Sequence, residues 1–318
     1  MNTTLEPFPL RGRCIGISIS AGHEGIPQGE NADAFINQLT FQTCSRFLFL
    51  GASIALGHRW KLGGIMEHLA RRATEYRYSF IPAGRDGRLA PIVNRIAWPD
   101  EPPVFDEESA GEMEDVIDVR QVPPPGIPTD GLTVSSRLGQ FARIRALTAM
   151  RRELVMVSDF RVCLGGVAAK NLRRLPGVLE EAILTFDAGR PLYLAGVFGG
   201  TTKALCDVIL RRRAANSARE AFHTPAEALS LFKEFQGAYP FPESEGPSQS
   251  SAPFDALAYA EGMSIAKLAD RAFLSEDDYL TLMTTPDVGR VMQLVSLGVS
   301  NSRNIVTIPA LDRGEMEA

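Results

Sequence analysis

The middle of this 318-residue chain holds the residues best spaced for chemistry. Two apolar runs, residues 160–164 and 191–197, each lead into a glycine pair: Gly165-Gly166 and Gly199-Gly200. Between the pairs lie a basic loop with Lys170, Arg173 and Arg174, the turn Pro176-Gly177, and a helical pattern carrying Glu180 and Glu181. Glycine lets backbone N–H groups come close to an anion, and a helix start adds unpaired N–H groups and the positive end of the helix dipole. Such a set could hold a phosphate. Upstream, a helical pattern over 135–156 carries Arg143, Arg145, Arg151 and Arg152. Spacing does not decide which of these arginines face a site. Glu180 and Glu181 have a plain reading too, as first-turn carboxylates that complement the helix dipole, with Arg151 as their salt-bridge partner.

The elements that must position these residues follow from apolar patterning. Strand, glycine turn, helix and strand form a right-handed crossover, the unit of an open parallel sheet. The first half of the chain repeats the arrangement. Residues 14–20 predict a strand with Ser18 and Ser20 at its C-terminal end, where ligand sites open in such sheets. A helix is expected over 32–45, then a second strand over 47–50 closed by Gly51-Ala52-Ser53. After His58, the loop residues Arg59 and Trp60 lead to Gly63-Gly64, which open a helix over 65–70. Strands are also expected at 77–82 and 94–98. Residues 99–130 are rich in Pro, Asp and Glu and predict a surface excursion with one short strand at 116–119.

Past Gly200 the pattern turns helical, over 201–213, then from Thr224 as N-cap and Pro225 in the first turn to residue 235. Residues 240–253 predict a mobile loop. Helices are expected over 264–271, 276–284 and 287–298, and residues 305–308 as an edge strand or tail. Residues 1–12 are expected to be an arm. This gives an α/β unit over 13–213 and a helical extension over 214–318.

Bulk properties narrow the function. Apolar residues make up 45% of the chain, enough for a substantial core. A net charge of −5 argues against a broad nucleic-acid footprint. No apolar run is long enough to cross a bilayer, and no signal peptide is visible. Cys14, Cys44, Cys163 and Cys206 lack metal-ligand spacing, so neither a metal nor a cofactor is expected, and free buried thiols in the cytoplasm are.

Met150-Arg151-Arg152, Asp159, Gly165-Gly166 and Pro176-Gly177-Val178-Leu179-Glu180-Glu181 together resemble the signature of the Lonely Guy and lysine-decarboxylase-like proteins. There a basic pair on a helix precedes a strand ending in a PGGxGTxxE motif. The first strand, the Gly57-to-Glu67 turn and the Phe198-Gly199-Gly200 turn are similar to the wider SLOG superfamily, over roughly residues 13 to 210. The resemblance implies an α/β fold: a Rossmann-like, mostly parallel sheet with helices on both faces, here with a C-terminal helical extension. It also implies a nucleotide-derived ligand held by Ser18, Ser20, Gly51, Ala52, Ser53, Arg59, Trp60, Gly63, Gly64, the glycine pairs, the basic loop, Pro176, Gly177 and Glu180.

If the chain is an enzyme, the resemblance makes Arg151 and Glu181 catalytic, cleaving the N-glycosidic bond of a nucleotide. Two departures favour sensing over cleavage. Residues 167–175 split the glycine motif, and Val178 stands where the motif has threonine. The split form resembles SLOG domains that sense NAD-derived or cyclic nucleotides in antiviral defence. Homo-oligomers and a separate effector protein are then the expected partners.

Overall fold

The computed structural model describes residues 10–20, 32–57, 64–80, 90–103, 113, 115–167, 173–211, 221–240 and 254–303. Its frame is a parallel sheet of six strands in the order β4-β3-β2-β1-β5-β6. These are β1 (Cys14–Ser20), β2 (Ser53–Leu56), β3 (Ile92–Ala97), β4 (Ile117–Val122), β5 (Phe160–Gly165) and β6 (Leu192–Ala195). Helices α1 (Ala32–Phe49) and α2 (Ile65–Phe80) join β1, β2 and β3. Helix α3 (Arg137–Val157) carries the chain back past β1 to β5, and α4 (Gly177–Asp187) links β5 to β6. Right-handed crossovers in opposite directions put α1 and α2 on one face and α3 and α4 on the other. The direction reverses between β1 and β5, which is the switch point where open α/β sheets bind ligands beyond their strand ends.

The α/β class and the helices on both faces agree with the expectation. So do β1, β3, β5, the strand inside the acidic excursion (β4), and α3, whose N-cap Ser136 accepts from the Gly139 N–H at 3.0 Å. Three expectations fail. Residues 47–49 are the last turn of α1, because Phe47 and Leu48 continue its buried face, and a short apolar run does not distinguish helix from strand. Gly51, with φ of 87°, ends that helix, and the strand is the next four residues, Ser53–Leu56. Residues 77–80 likewise belong to α2. Thr224 does not cap the following helix: its hydroxyl donates to the Arg174 carbonyl at 2.7 Å, and Pro225 is the N-cap.

Beyond β6 a 3-10 turn (Gly196–Phe198) leads into α5 (Gly200–Ile209), then α6 (Ala226–Phe235). Helices α7 (Ala256–Glu261), α8 (Ile265–Arg271), α9 (Glu276–Thr284) and α10 (Val288–Arg303) complete the described residues; α7 has no counterpart in the sequence reading. They share the sheet's core rather than forming one of their own. The buried Tyr279 hydroxyl donates to the Leu192 carbonyl at 2.6 Å, and the Tyr193 hydroxyl to Ala272 at 3.0 Å. A second core lies under α3 and α6, centred on Phe141, Ile144, Leu231 and Phe232. Residues 241–253 of the loop expected at 240–253, and the strand or tail expected at 305–308, lie outside the described residues.

Candidate functional site

At the switch point the strand ends meet as the glycine pattern predicts. Ser20, the last residue of β1, pairs in register with Gly165, the last of β5. The Ser20 carbonyl accepts from the Gly166 N–H at 2.9 Å, and its hydroxyl accepts from Val167 N–H at 3.2 Å. The Gly166 carbonyl in turn accepts from Thr201 N–H, in the first turn of α5, at 3.0 Å. Ser20, Gly165-Gly166 and Gly199-Gly200 therefore form one hydrogen-bonded junction. Gly51, Ala52 and Ser53 are not part of it. Gly51 and Ala52 precede β2 and Ser53 is its first residue, at the opposite ends of the strands, where Ser53 N–H donates to the Arg13 carbonyl at 2.8 Å. The extension of α1 through residue 49 is the reason: it moves the strand past these residues, so Gly57 rather than Gly51 follows its end. Gly64 sits just before α2, its carbonyl accepting from His68 N–H at 3.3 Å. Arg59, Trp60, Gly63 and Lys170 lie outside the described residues.

Beneath the junction, between the sheet and α3 and α4, is a buried charge network. Arg151 of α3 donates through Nη1 to Glu180, whose other oxygen accepts from the Thr148 hydroxyl at 2.8 Å. Arg161 of β5 donates through Nη1 to Glu181 at 2.9 Å and to the Ser18 hydroxyl at 2.9 Å, and through Nε to Thr185 at 3.0 Å. The Ser18 hydroxyl donates to the same Glu181 oxygen. Arg151 Nε lies 3.8 Å from the second Glu181 oxygen, which joins the two pairs. Every member of this network is buried. Removing one partner of such a set leaves a bare charge in a low-dielectric interior, so the set holds together or fails together.

Two glycines make room for the arginines. A Cβ at Gly177, the first residue of α4, would stand 2.9 Å from Arg151 Nη2. A Cβ at Gly16, the register partner of Arg161, would stand 2.8 Å from its guanidinium carbon. The sequence reading missed Arg161. It took residues 160–164 as an apolar run, although a single arginine inside an otherwise apolar strand is the signal of a paired, buried charge.

Arg174 is buried too, but its guanidinium stands over the Phe254 ring at 5.7 Å. Pro176 is the N-cap of α4. Val178, where the motif has threonine, packs against Gly166, as does Thr201. The gap lined by Cys163, Val178, Leu194, Thr201 and Thr202 is too small for a water molecule. A hollow of about 510 Å³ lies elsewhere, between α1 and α2, lined by Phe41, Ile65, His68, Arg72 and Glu75 among others.

Residues 9–263 match the family described as SLOG cluster2. The chain belongs to this SLOG family. Membership supports a nucleotide-related ligand for this protein. The matched residues run past α5 and on through α7. No curated protein matches the SLOG cluster2 chain. Among solved structures twelve chains match, one being the X-ray structure of the structural-genomics target TM1055. It is 13% identical, covers 70% of this chain and 99% of its own, and has a TM-score of 0.36. No described helix is long and apolar enough to cross a membrane.

Proposed function

We propose that this SLOG protein binds a nucleotide-derived signal at the switch point without cleaving it, and passes that state to a separate effector in antiviral defence. The observation that carries this reading is the junction itself. Two glycine turns and the end of β1 meet where an open parallel sheet receives ligands, and the start of α5 brings helix-dipole charge to the same place. Binding without turnover is favoured by the state of Glu181. A carboxylate that stabilises an oxocarbenium-like sugar or positions a water must face the substrate. Here one Glu181 oxygen is held by Arg161 and Ser18, and both oxygens lie within the reach of arginines.

The test is calorimetry of the purified protein against AMP, NAD, ADP-ribose and cyclic nucleotides, followed by chromatography of the same mixtures. The reading expects heat from at least one compound and intact compound afterwards. Silence across the panel would reject it.

One observation sustains a second reading, an N-glycosidase: Arg151 Nε lies 3.8 Å from Glu181, the glutamate that the resemblance makes catalytic with it. It expects free base in the chromatogram, lost in Glu181→Gln. As a sensor the protein would work as a homo-oligomer, which light scattering with and without the bound nucleotide would show.

A further inference from the structure

The switch-point junction contains polar atoms that its own fold leaves unused. The side-chain hydroxyls of Thr201 and Thr202, 2% and 1% exposed, have no hydrogen-bond partner among the described residues. Native interiors pair nearly all such groups, because a buried unpaired hydroxyl costs stability that a valine of the same shape would not. No water offsets that cost, since the gap beside them is too small to hold one.

The position of Thr201 gives its hydroxyl a use. It lies in the first turn of the ten-residue helix α5, directly after Gly199-Gly200. A Cβ built on Gly166 would stand 3.2 Å from the Thr201 hydroxyl oxygen and 3.2 Å from Val178 Cβ. Thr201 and Val178 thus both lie against the same turn. Val178 is the position at which the motif's threonine is missing.

We infer that Thr201 supplies this hydroxyl at the turn and is a phosphate-binding residue of the site. In the closed junction the Gly166 carbonyl occupies the Thr201 N–H at the helix start. A phosphate oxygen arriving there takes the place of that carbonyl. It accepts from the Thr201 N–H and the Thr201 hydroxyl together, at the positive end of α5. The ligand class is a nucleotide carrying at least one terminal or bridging phosphate, so the inference rests on the binding reading above.

The isosteric variant Thr201→Val removes the hydroxyl and little else. Without ligand it should melt higher than wild type, by roughly 2–6 °C, because an unpaired buried hydroxyl is gone. Its affinity for whichever of AMP, NAD, ADP-ribose and the cyclic nucleotides binds the wild type should fall about ten- to a hundredfold, the worth of one hydrogen bond to a charged oxygen. Adding Val178→Thr to Thr201→Val returns a hydroxyl to the same turn and should recover much of that loss. Unchanged affinity in folded Thr201→Val would overturn the assignment of Thr201 and leave the binding reading standing. No binding of any compound of that panel, cyclic nucleotides included, to wild type would overturn both.

Discussion

Arg145 and Arg151 lie six residues apart on the same helix and do opposite jobs. Arg145 is 2% exposed and spends its guanidinium on backbone carbonyls: Tyr239 at 2.9 Å, Pro240 at 3.4 Å and Pro125 at 3.5 Å. It ties the excursion after β4 and the end of α6 onto α3. Arg151 spends its guanidinium on carboxylates, Glu180 and Glu181, in the network that reaches through Arg161 to β1. The first arrangement is a strap, whose acceptors are neutral and can rehydrate when it is cut. The second is a closed set of charges under the switch point, where no member can leave alone. The two arginines differ in their acceptors, not in their burial.

Deletions should grade along that distinction. Arg161→Leu strands Glu181 in the interior and should cost about 3–5 kcal/mol in urea denaturation. Removing the partner as well, in Arg161→Leu/Glu181→Leu, should recover most of that loss, since a buried pair replaced by apolar groups is often neutral. A double variant no better than the single would break the idea of a mutually dependent set. Arg145→Met should cost less, about 1–3 kcal/mol, with faster hydrogen exchange confined to the segments it straps.

An exposed pair sets the floor. Arg137 and Glu234, both largely in solvent, form an ion pair between α3 and α6, and Arg137→Ala should cost under about 1 kcal/mol. Smallest of all, the four buried cysteines, none of them in a disulfide, should show no reaction with a thiol reagent in the native protein and full reaction after denaturation. Burial pushes the Cys163 thiol up to about 12 and holds Cys44 and Cys206 above their ordinary range, which keeps the reactive thiolate scarce.

The fold was legible wherever apolar periodicity and glycine agreed. β1, β5 and the glycine pairs after β5 and before α5 stand where sequence places them, and these form the junction. Legibility ended where a signal is shared by two structures. The run at residues 47–50 satisfies a helix face as well as a strand, and reading it as a strand carried Gly51, Ala52 and Ser53 to the wrong ends of the strands. It ended again where the deciding contact is long-range. That Arg161 pairs with a glutamate twenty residues later, through space opened by Gly16 on the neighbouring strand, is invisible to any local pattern. The Thr201 hydroxyl is a third kind of case. Its significance is an absence of partners among the described residues, which only packed coordinates reveal.

The account is tested most directly by a crystal structure of the protein grown with ADP-ribose. It predicts an intact ligand with a phosphate oxygen within hydrogen-bond distance of the Thr201 N–H and hydroxyl, beside Gly166, and Glu181 still held by Arg161. A ligand cleaved at the ribose, or one lodged in the hollow between α1 and α2 with the glycine junction undisturbed, would contradict it.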